Sequence, residues 1–352
     1  MRTRILRQMG GDGWLGIGWP VEYGGSDRGA AAQFVLFSEA YRANAPLPMI
    51  TLTTVAPTLM AHGSQGQKDY FLPRILAGEL VFAIGYTEPE AGTDLASLRT
   101  SARREGDELV INGNKVFTSG ADGADWIWLA ARTDSDAPKH KGISLILVPT
   151  TDPGFSVTPI RTIGGVSTTA TYYDDVRVPI SNVVGGLDNG WKLITTQLNH
   201  ERVGLAAFSG ISVGMLEDAK VWAARQFLPD GRPYTDLRWV RTALARATAL
   251  ANVMSLMNWQ LVEATADDVT DPGQASAAKV YATEAALEIY RLTLEVVGAA
   301  GLEISEAPSS VTDGRLALMN LSAQINTFGG GVAEIQREII AWTTLGMARG
   351  TR

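Results

Sequence analysis

The stretch Val81–Asp94, VFAIGYTEPEAGTD, decides how the rest of the chain is read. Val81 to Ile84 is a short apolar run of strand character, and it leads into Tyr86-Thr87. Pro89 then stiffens the backbone and Gly92 frees it again. Small hydroxyl and glycine residues at a strand end let the backbone approach a ligand and present N–H and O–H donors to carbonyl or phosphate oxygens. Working outward, Leu109–Gly120 reads LVINGNKVFTSG. Asn112-Gly113 signals a hairpin turn between two alternating runs. The returning strand, Lys115–Ser119, ends in Phe117-Thr118-Ser119-Gly120, again an aromatic and hydroxyls at a strand end. Two such loops, one after each of two neighbouring strands, are what gripping a flat polar ring requires.

Composition narrows the chemistry. The chain has 352 residues, 45% of them apolar and 19% charged, which describes an ordinary globular protein with a sizeable core. A net charge of −7 argues against nucleic acid or an anionic membrane as a main partner. No apolar run approaches a membrane span, and the N-terminus lacks the apolar core of a signal peptide, so a cytoplasmic location is expected. There is no cysteine, which removes disulfides, thiolate nucleophiles and sulfur-ligated metals. The three histidines, His62, His140 and His200, show no metal-ligand spacing, and no metal site is expected. Redox chemistry would therefore come from a bound organic cofactor.

Periodicity divides the chain into three. Residues 1–80 read as helical, with Ala30–Tyr41, Ile50–Ala61 and Gln67–Ala77 between Pro and Gly breaks. Residues 81–186 switch to period two with short turns, as in a compact barrel or sandwich of six to eight strands. Residues 187–352 return to long helices, roughly Gly190–Ala223, Asp236–Ala266, Ala275–Val297 and Ser309–Met347, whose short connections predict an antiparallel bundle.

The two loop motifs together resemble T-E-P-x-A-G-S-D and N-G-x-K-x-[WF]-[IT]-[ST] of the acyl-CoA dehydrogenase flavoproteins, and the resemblance runs from about Asp12 to Arg349. It implies an α+β multidomain fold: N-terminal helices, here starting late and so expected to be truncated, then a middle β-barrel and a C-terminal four-helix bundle. It implies FAD as cofactor, an acyl-CoA thioester as substrate and an electron-transferring flavoprotein as electron acceptor. It implies that Thr87 hydrogen-bonds the flavin, with backbone contacts from Ile84 and Tyr86. Gly92 and Thr93 would lie by the pyrophosphate and thioester, Phe117 against the ring, and Ser119 beside N5 and the ribityl chain. Ser167 and Arg202 are substrate candidates, while Glu88 and Asp94 read as loop braces.

Desaturating a thioester needs a base for the α-proton. The late family motif carrying one reads Phe328–Arg337 here, and alignment on Ile335-Gln336-Arg337 puts Gly330 where the glutamate would be. The family's second location is an L-x-x-E-R segment, here Leu198–Arg202, which implies Glu201 as the base. Helical spacing argues the same way: Ile194, Leu198, Glu201, Leu205 and Phe208 recur at 4, 3, 4, 3 and share a face. No Lys or Arg lies three or four residues from Glu201, so no helical neighbour pairs with it. Burial would raise its pKa toward the range useful for a base. An interhelical salt bridge or an exposed helix face is the bland alternative.

The combination GYTEPEAGTDLASLRT, KHKGIS, LITTQLNHERV and FGGGVAE resembles subunits of actinobacterial heteromeric dehydrogenases of steroid side-chain degradation. The segments that a subunit of the homomeric enzymes lends to its neighbour are altered: Arg225–Gly231 is stretched, Gly298–Gly301 reads GAAG, and Val332 replaces a threonine. A hetero-oligomer with a second dehydrogenase-like subunit is therefore expected. Alternatives are a non-catalytic partner subunit and an acyl-CoA oxidase of the same fold. Two motifs are decoys. Gly210–Gly214 fits G-x-S-x-G, but it lies in a helical run and all three histidines precede Ser212. Gly11–Gly16 fits G-x-G-x-x-G without a strand before it.

Overall fold

The computed structural model describes residues 2–165, 167–266, 271–304 and 311–348, without the side chains of 2, 198–205, 207, 265, 266 and 313. Helices come first: α1 (Arg2–Gly11), α2 (Gly29–Arg42), α3 (Ala56–His62) and α4 (Gln65–Leu76). The strands follow as β1 (Phe82–Gly85), β2 (Ser101–Glu105), β3 (Glu108–Lys115), β4 (Trp126–Arg132), β5 (Ile143–Pro149), β6 (Phe155–Arg161), β7 (Ser167–Pro179) and β8 (Val183–Val184). Helices return as α5 (Gly190–Ala207), α6 (Ser209–Ala224), α7 (Arg238–Ala266), α8 (Pro272–Val297), α9 (Leu316–Ser322) and α10 (Ala333–Thr343). N-terminal helices, a middle sheet and C-terminal helices are the order that periodicity predicts.

The chain forms two compact units. One holds Met1–Gly29, Pro46–Thr162 and Ser167–Glu201; the other holds Ala30–Ala45, Ile163–Val166 and Arg202–Arg352. In the first, all eight strands join one sheet in the order β6-β7-β3-β2-β4-β5-β8, with β1 parallel to β4. Alternation in β3 and β4 sends Leu109, Ile111, Ile127 and Leu129 into one apolar core, which Tyr173 and Val176 of β7 join on either side of the bulge in that pairing. In the second, α6, α7 and α8 bury Leu216, Val240, Ala247, Met254, Ile289 and Val296 against each other.

The structure departs from the sequence reading at Asn112-Gly113. The hairpin turn is at Gly106, which takes a φ of 63° between β2 and β3. β3 runs straight through Asn112-Gly113 with a bulge between Ile111 and Gly113. A Cβ on Gly113 would sit 2.7 Å from Thr100 Oγ1, so the glycine serves close backbone approach instead of a turn. Residues 116–119 are consequently a loop. Two predicted long helices are also broken. The first breaks at Phe208, between α5 and α6. The last is interrupted before α10 by Gly330 and Gly331, at φ of 65° and 109°.

Both decoys resolve as packing. Gly210 and Gly214 lie within α6, where added Cβ atoms would meet Ser38 O at 2.3 Å and Arg42 Cγ at 3.0 Å. They let α6 lie against α2. Gly11 ends α1 and Gly13 turns at a φ of 79°, with no strand before them.

Candidate active site

The site is built first from the turn after β1. Glu88 and Ala91 exchange backbone hydrogen bonds, each 3.1 Å, closing the loop around Pro89-Glu90. The Glu88 carboxylate turns inward and accepts from the backbone N–H of Arg99 (2.6 Å) and Thr100 (2.8 Å). Its third partner is Lys115 Nζ at 2.8 Å, which also donates to Tyr86 O at 3.0 Å. Both side chains are buried, 0% exposed for Lys115 and 4% for Glu88. Desolvation outweighs the ion pair at Lys115 and pulls its pKa down to about 8. At Glu88 burial works upward, but the Lys115 charge and the hydrogen bonds win, leaving the carboxyl below its usual range. The pair is therefore ionised at neutral pH.

Lys115 ends β3, and the next N–H, of Val116, donates to Thr87 O at 2.8 Å. The strands that carry the two motifs are not neighbours, since β1 pairs with β4 and β3 with β2 and β7. The loops meet through Lys115, Glu88 and this backbone bond instead. Sequence reading assigned Glu88 its bracing role but missed Lys115, although the lysine stands within the second motif.

Past Val116, Phe117 adopts a φ of 60° and leaves its ring 63% exposed. A positive φ in a bulky residue is strained and needs surrounding structure to hold it. Thr118 supplies that anchorage: its N–H donates to Thr169 O (2.9 Å) and its carbonyl accepts from Thr169 Oγ1 (2.6 Å). Ser119 Oγ lies 2.8 Å from Thr168 Oγ1. Next to it, Ser167 is exposed at the start of β7, its hydroxyl donating to Thr168 O at 3.4 Å.

The remaining candidates are placed as follows. Ile84 is half-buried on β1 opposite Trp128. The Thr87 hydroxyl has no hydrogen-bond partner among the described residues. Gly92 and Thr93 are exposed, and nothing lies within 4 Å of where a Gly92 Cβ would stand. An exposed aromatic face, a spare hydroxyl and an open glycine turn fit a flat polar ring with a phosphate tail, such as FAD. The side chains of Glu201 and Arg202 lie outside the described residues; their backbone belongs to α5.

The sheet also holds the first turns of α5. The Tyr86 hydroxyl accepts from Trp128 Nε1 at 3.0 Å and from the Gln197 amide. Trp128 Nε1 also donates to Gln197 Oε1 at 3.2 Å. Trp128 and Gln197 are buried, as are Leu193 and Ile194 on the same stretch of helix. Residue 201 comes one helical turn after Gln197, so the loop that carries Tyr86 also fixes the helix that carries the expected base. Its sequence signal is the spacing of four between Gln197 and Glu201.

The second unit contains a cavity of about 390 Å³. Its walls include Tyr41 from α2, Ala206 and Phe208 at the α5–α6 junction, Met254 from α7 and Ala282 from α8. No motif marks it, because its lining comes from six separate helices.

The chain matches the acyl-CoA dehydrogenase N-terminal domain over residues 1–79, the middle domain over 83–176 and the C-terminal domain over 188–345. It belongs to the acyl-CoA dehydrogenase family, whose members are oxidoreductases and flavoproteins. Acyl-CoA dehydrogenase FadE26 of Mycobacterium tuberculosis is 49% identical over 353 residues, covering 99% of this chain and 88% of that protein. A solved structure named Tcur3481-Tcur3483 steroid ACAD superposes with a TM-score of 0.95 at 50% identity, covering 99% of this chain and 89% of the other. The ChsE4-ChsE5 complex from Mycobacterium tuberculosis gives a TM-score of 0.93 at 48% identity, covering 99% and 90%. Among the described residues, no helix is long and apolar enough to cross a membrane.

Proposed function

We propose that this chain is the base-carrying subunit of a cytoplasmic, FAD-dependent dehydrogenase that desaturates a CoA thioester with a bulky fused-ring tail, of the steroid side-chain class, to the trans-2-enoyl-CoA. The observation that carries the reading lies on α5. Ala206 and Phe208 line the cavity, so the C-terminal end of the helix that carries residue 201 supplies part of the cavity wall. On this reading the acyl tail lies in the cavity, and the base stands on the helix whose end walls it. The volume, about 390 Å³, falls in the range of about 300–1,000 Å³ for pockets that bury a compact organic ligand.

Glu201 takes the α-proton. Ile84, Tyr86, Thr87, Gly92, Thr93, Phe117 and Ser119 would hold a flavin, which when bound would supply the acceptor for the β-hydride. Ser167 and Arg202 contact the CoA ester. The Lys115–Glu88 pair keeps the two loops in register, and Gln197 sets the rotation of α5 against them. Electrons leave to an electron-transferring flavoprotein.

The altered lending segments support a hetero-oligomer with a second dehydrogenase-like subunit. In one of them Phe227 is 68% exposed, an apolar ring left for a partner to cover. Similar structures named for two components point the same way. Expressed alone, the protein should be flavin-poor and inactive. Coexpressed with that subunit, it should be yellow and convert a fused-ring acyl-CoA to a product lighter by two hydrogens. Full flavin occupancy and turnover in the solo protein would refute the hetero-oligomer, and no product from the complex would refute the activity.

A further inference from the structure

Two phenols line the cavity of the second unit, their hydroxyls without a partner among the described residues. Tyr290 is only 5% exposed, and its hydroxyl has no hydrogen-bond partner among the described residues. Tyr41 stacks on Phe208 with ring centroids 4.4 Å apart, and its hydroxyl is likewise without a partner there. Buried tyrosines ordinarily find a partner for the O–H. Desolvation holds both phenols far above their usual pKa, with Arg315 offsetting it slightly at Tyr290, so both keep the proton they would donate.

Several neighbouring polar groups are already engaged, whereas the exposed Asn44 and Asn326 side chains, which also line the cavity, have no hydrogen-bond partner among the described residues. The Asn258 amide donates to Ala206 O at 3.0 Å and to Ser209 Oγ at 3.1 Å. The Thr283 hydroxyl serves Lys279 O at 3.0 Å and Val280 O at 3.2 Å, and Lys279 donates to Gly331 O. Around these, Ala275, Ala278, Ala282 and Ala286 form one face of α8, a floor without large side chains that suits a wide, rigid tail.

We infer that Tyr290, seconded by Tyr41, donates a hydrogen bond to an oxygen on the ring system of the acyl tail, a carbonyl or hydroxyl. These tyrosines then select oxygenated tails over plain hydrocarbon tails of the same shape. The inference rests on the reading that the cavity holds the acyl tail.

The test uses the coexpressed complex and two CoA thioesters of one fused-ring acid, alike except that the first carries a ring ketone where the second has a methylene. Affinity by titration calorimetry and kcat/KM are measured for the wild type, Tyr290→Phe and Tyr41→Phe. The wild type should prefer the ketone about tenfold, equivalent to about 1.4 kcal/mol. Tyr290→Phe should lose most of that preference while holding the plain thioester within about twofold, because the ring that fills the wall remains. Tyr41→Phe should lose part of it. An unchanged preference in Tyr290→Phe, or equal losses on both thioesters, overturns the inference. Failure of both thioesters to bind the wild type overturns the reading of the cavity itself.

Discussion

Replacing Lys115 with methionine isolates what holds the two cofactor loops together. The substitution keeps most of the volume and removes an amine that is fully buried between Glu88 Oε1 (2.8 Å) and Tyr86 O (3.0 Å). Glu88 would be left inside the protein without its cation, with only the Arg99 and Thr100 N–H groups for company. Stranding one member of a buried pair costs about 3–5 kcal/mol, against about 0–1 kcal/mol for an exposed pair. Lys115→Met should therefore weaken the sheet unit by about 3–5 kcal/mol, read as the midpoint and slope of urea unfolding followed by intrinsic tryptophan fluorescence. The double variant Lys115→Met/Glu88→Gln removes both charges and keeps a carbonyl that accepts from the loop. It should recover more than half the loss, because charge removal from both partners of a buried pair is often close to neutral. Flavin retention should stay low in the double variant, since the bond from residue 115 to Tyr86 O is still missing. A single-variant loss below about 1 kcal/mol, the level of an exposed pair, or a double variant no more stable than the single one, would refute this reasoning.

The same lysine predicts a pH dependence. Unfolded, it keeps its proton to about 10.4, whereas in the fold it yields it near 8, so between those values the unfolded state holds more protons and rising pH favours folding. That span corresponds to about 3 kcal/mol at 1.36 kcal/mol per pH unit, and urea midpoints taken from pH 8 to 10 should lack this upward contribution in Lys115→Met. At the flavin loop, Thr87→Val removes a hydroxyl that has no protein partner among the described residues. Folding should be unchanged while flavin affinity falls about fivefold to a hundredfold, the equivalent of one lost donor at about 1–3 kcal/mol; equilibrium dialysis of flavin checks it, and unaltered binding would assign the loop another task.

How far the sequence could be read depends on how local each signal is. The T-E-P-E-A-G-T-D loop forms where the pattern puts it because Pro89 and the Glu88–Ala91 pairing are contained in four residues. The α6 decoy could be dismissed because a nucleophile elbow needs a strand that the helical period of its flanks forbids. Asn112-Gly113 misled for an equally physical reason. The glycine that permits a turn also permits a strand to pass within contact distance of Thr100, and only the tertiary neighbour distinguishes the two. Lys115 and Gln197 were illegible as site supports because their partners lie 27 to 111 residues away in sequence. The cavity was invisible for the same reason: Tyr41, Met254 and Tyr290 share nothing but a place in space.

The central claim is that this chain removes the α-proton with Glu201 and hands the hydride to a flavin held by its own loops. It is tested most directly by mixing the flavin-loaded complex anaerobically with a fused-ring acyl-CoA and following the flavin absorbance, for wild type and for Glu201→Gln. The carboxamide keeps the shape and loses the base. The account predicts rapid bleaching in the wild type and a rate lower by at least about 10²–10⁴-fold in the variant at equal flavin content, the usual loss on removing a general base. Bleaching of the variant within about threefold of the wild-type rate, far short of that loss, would contradict it.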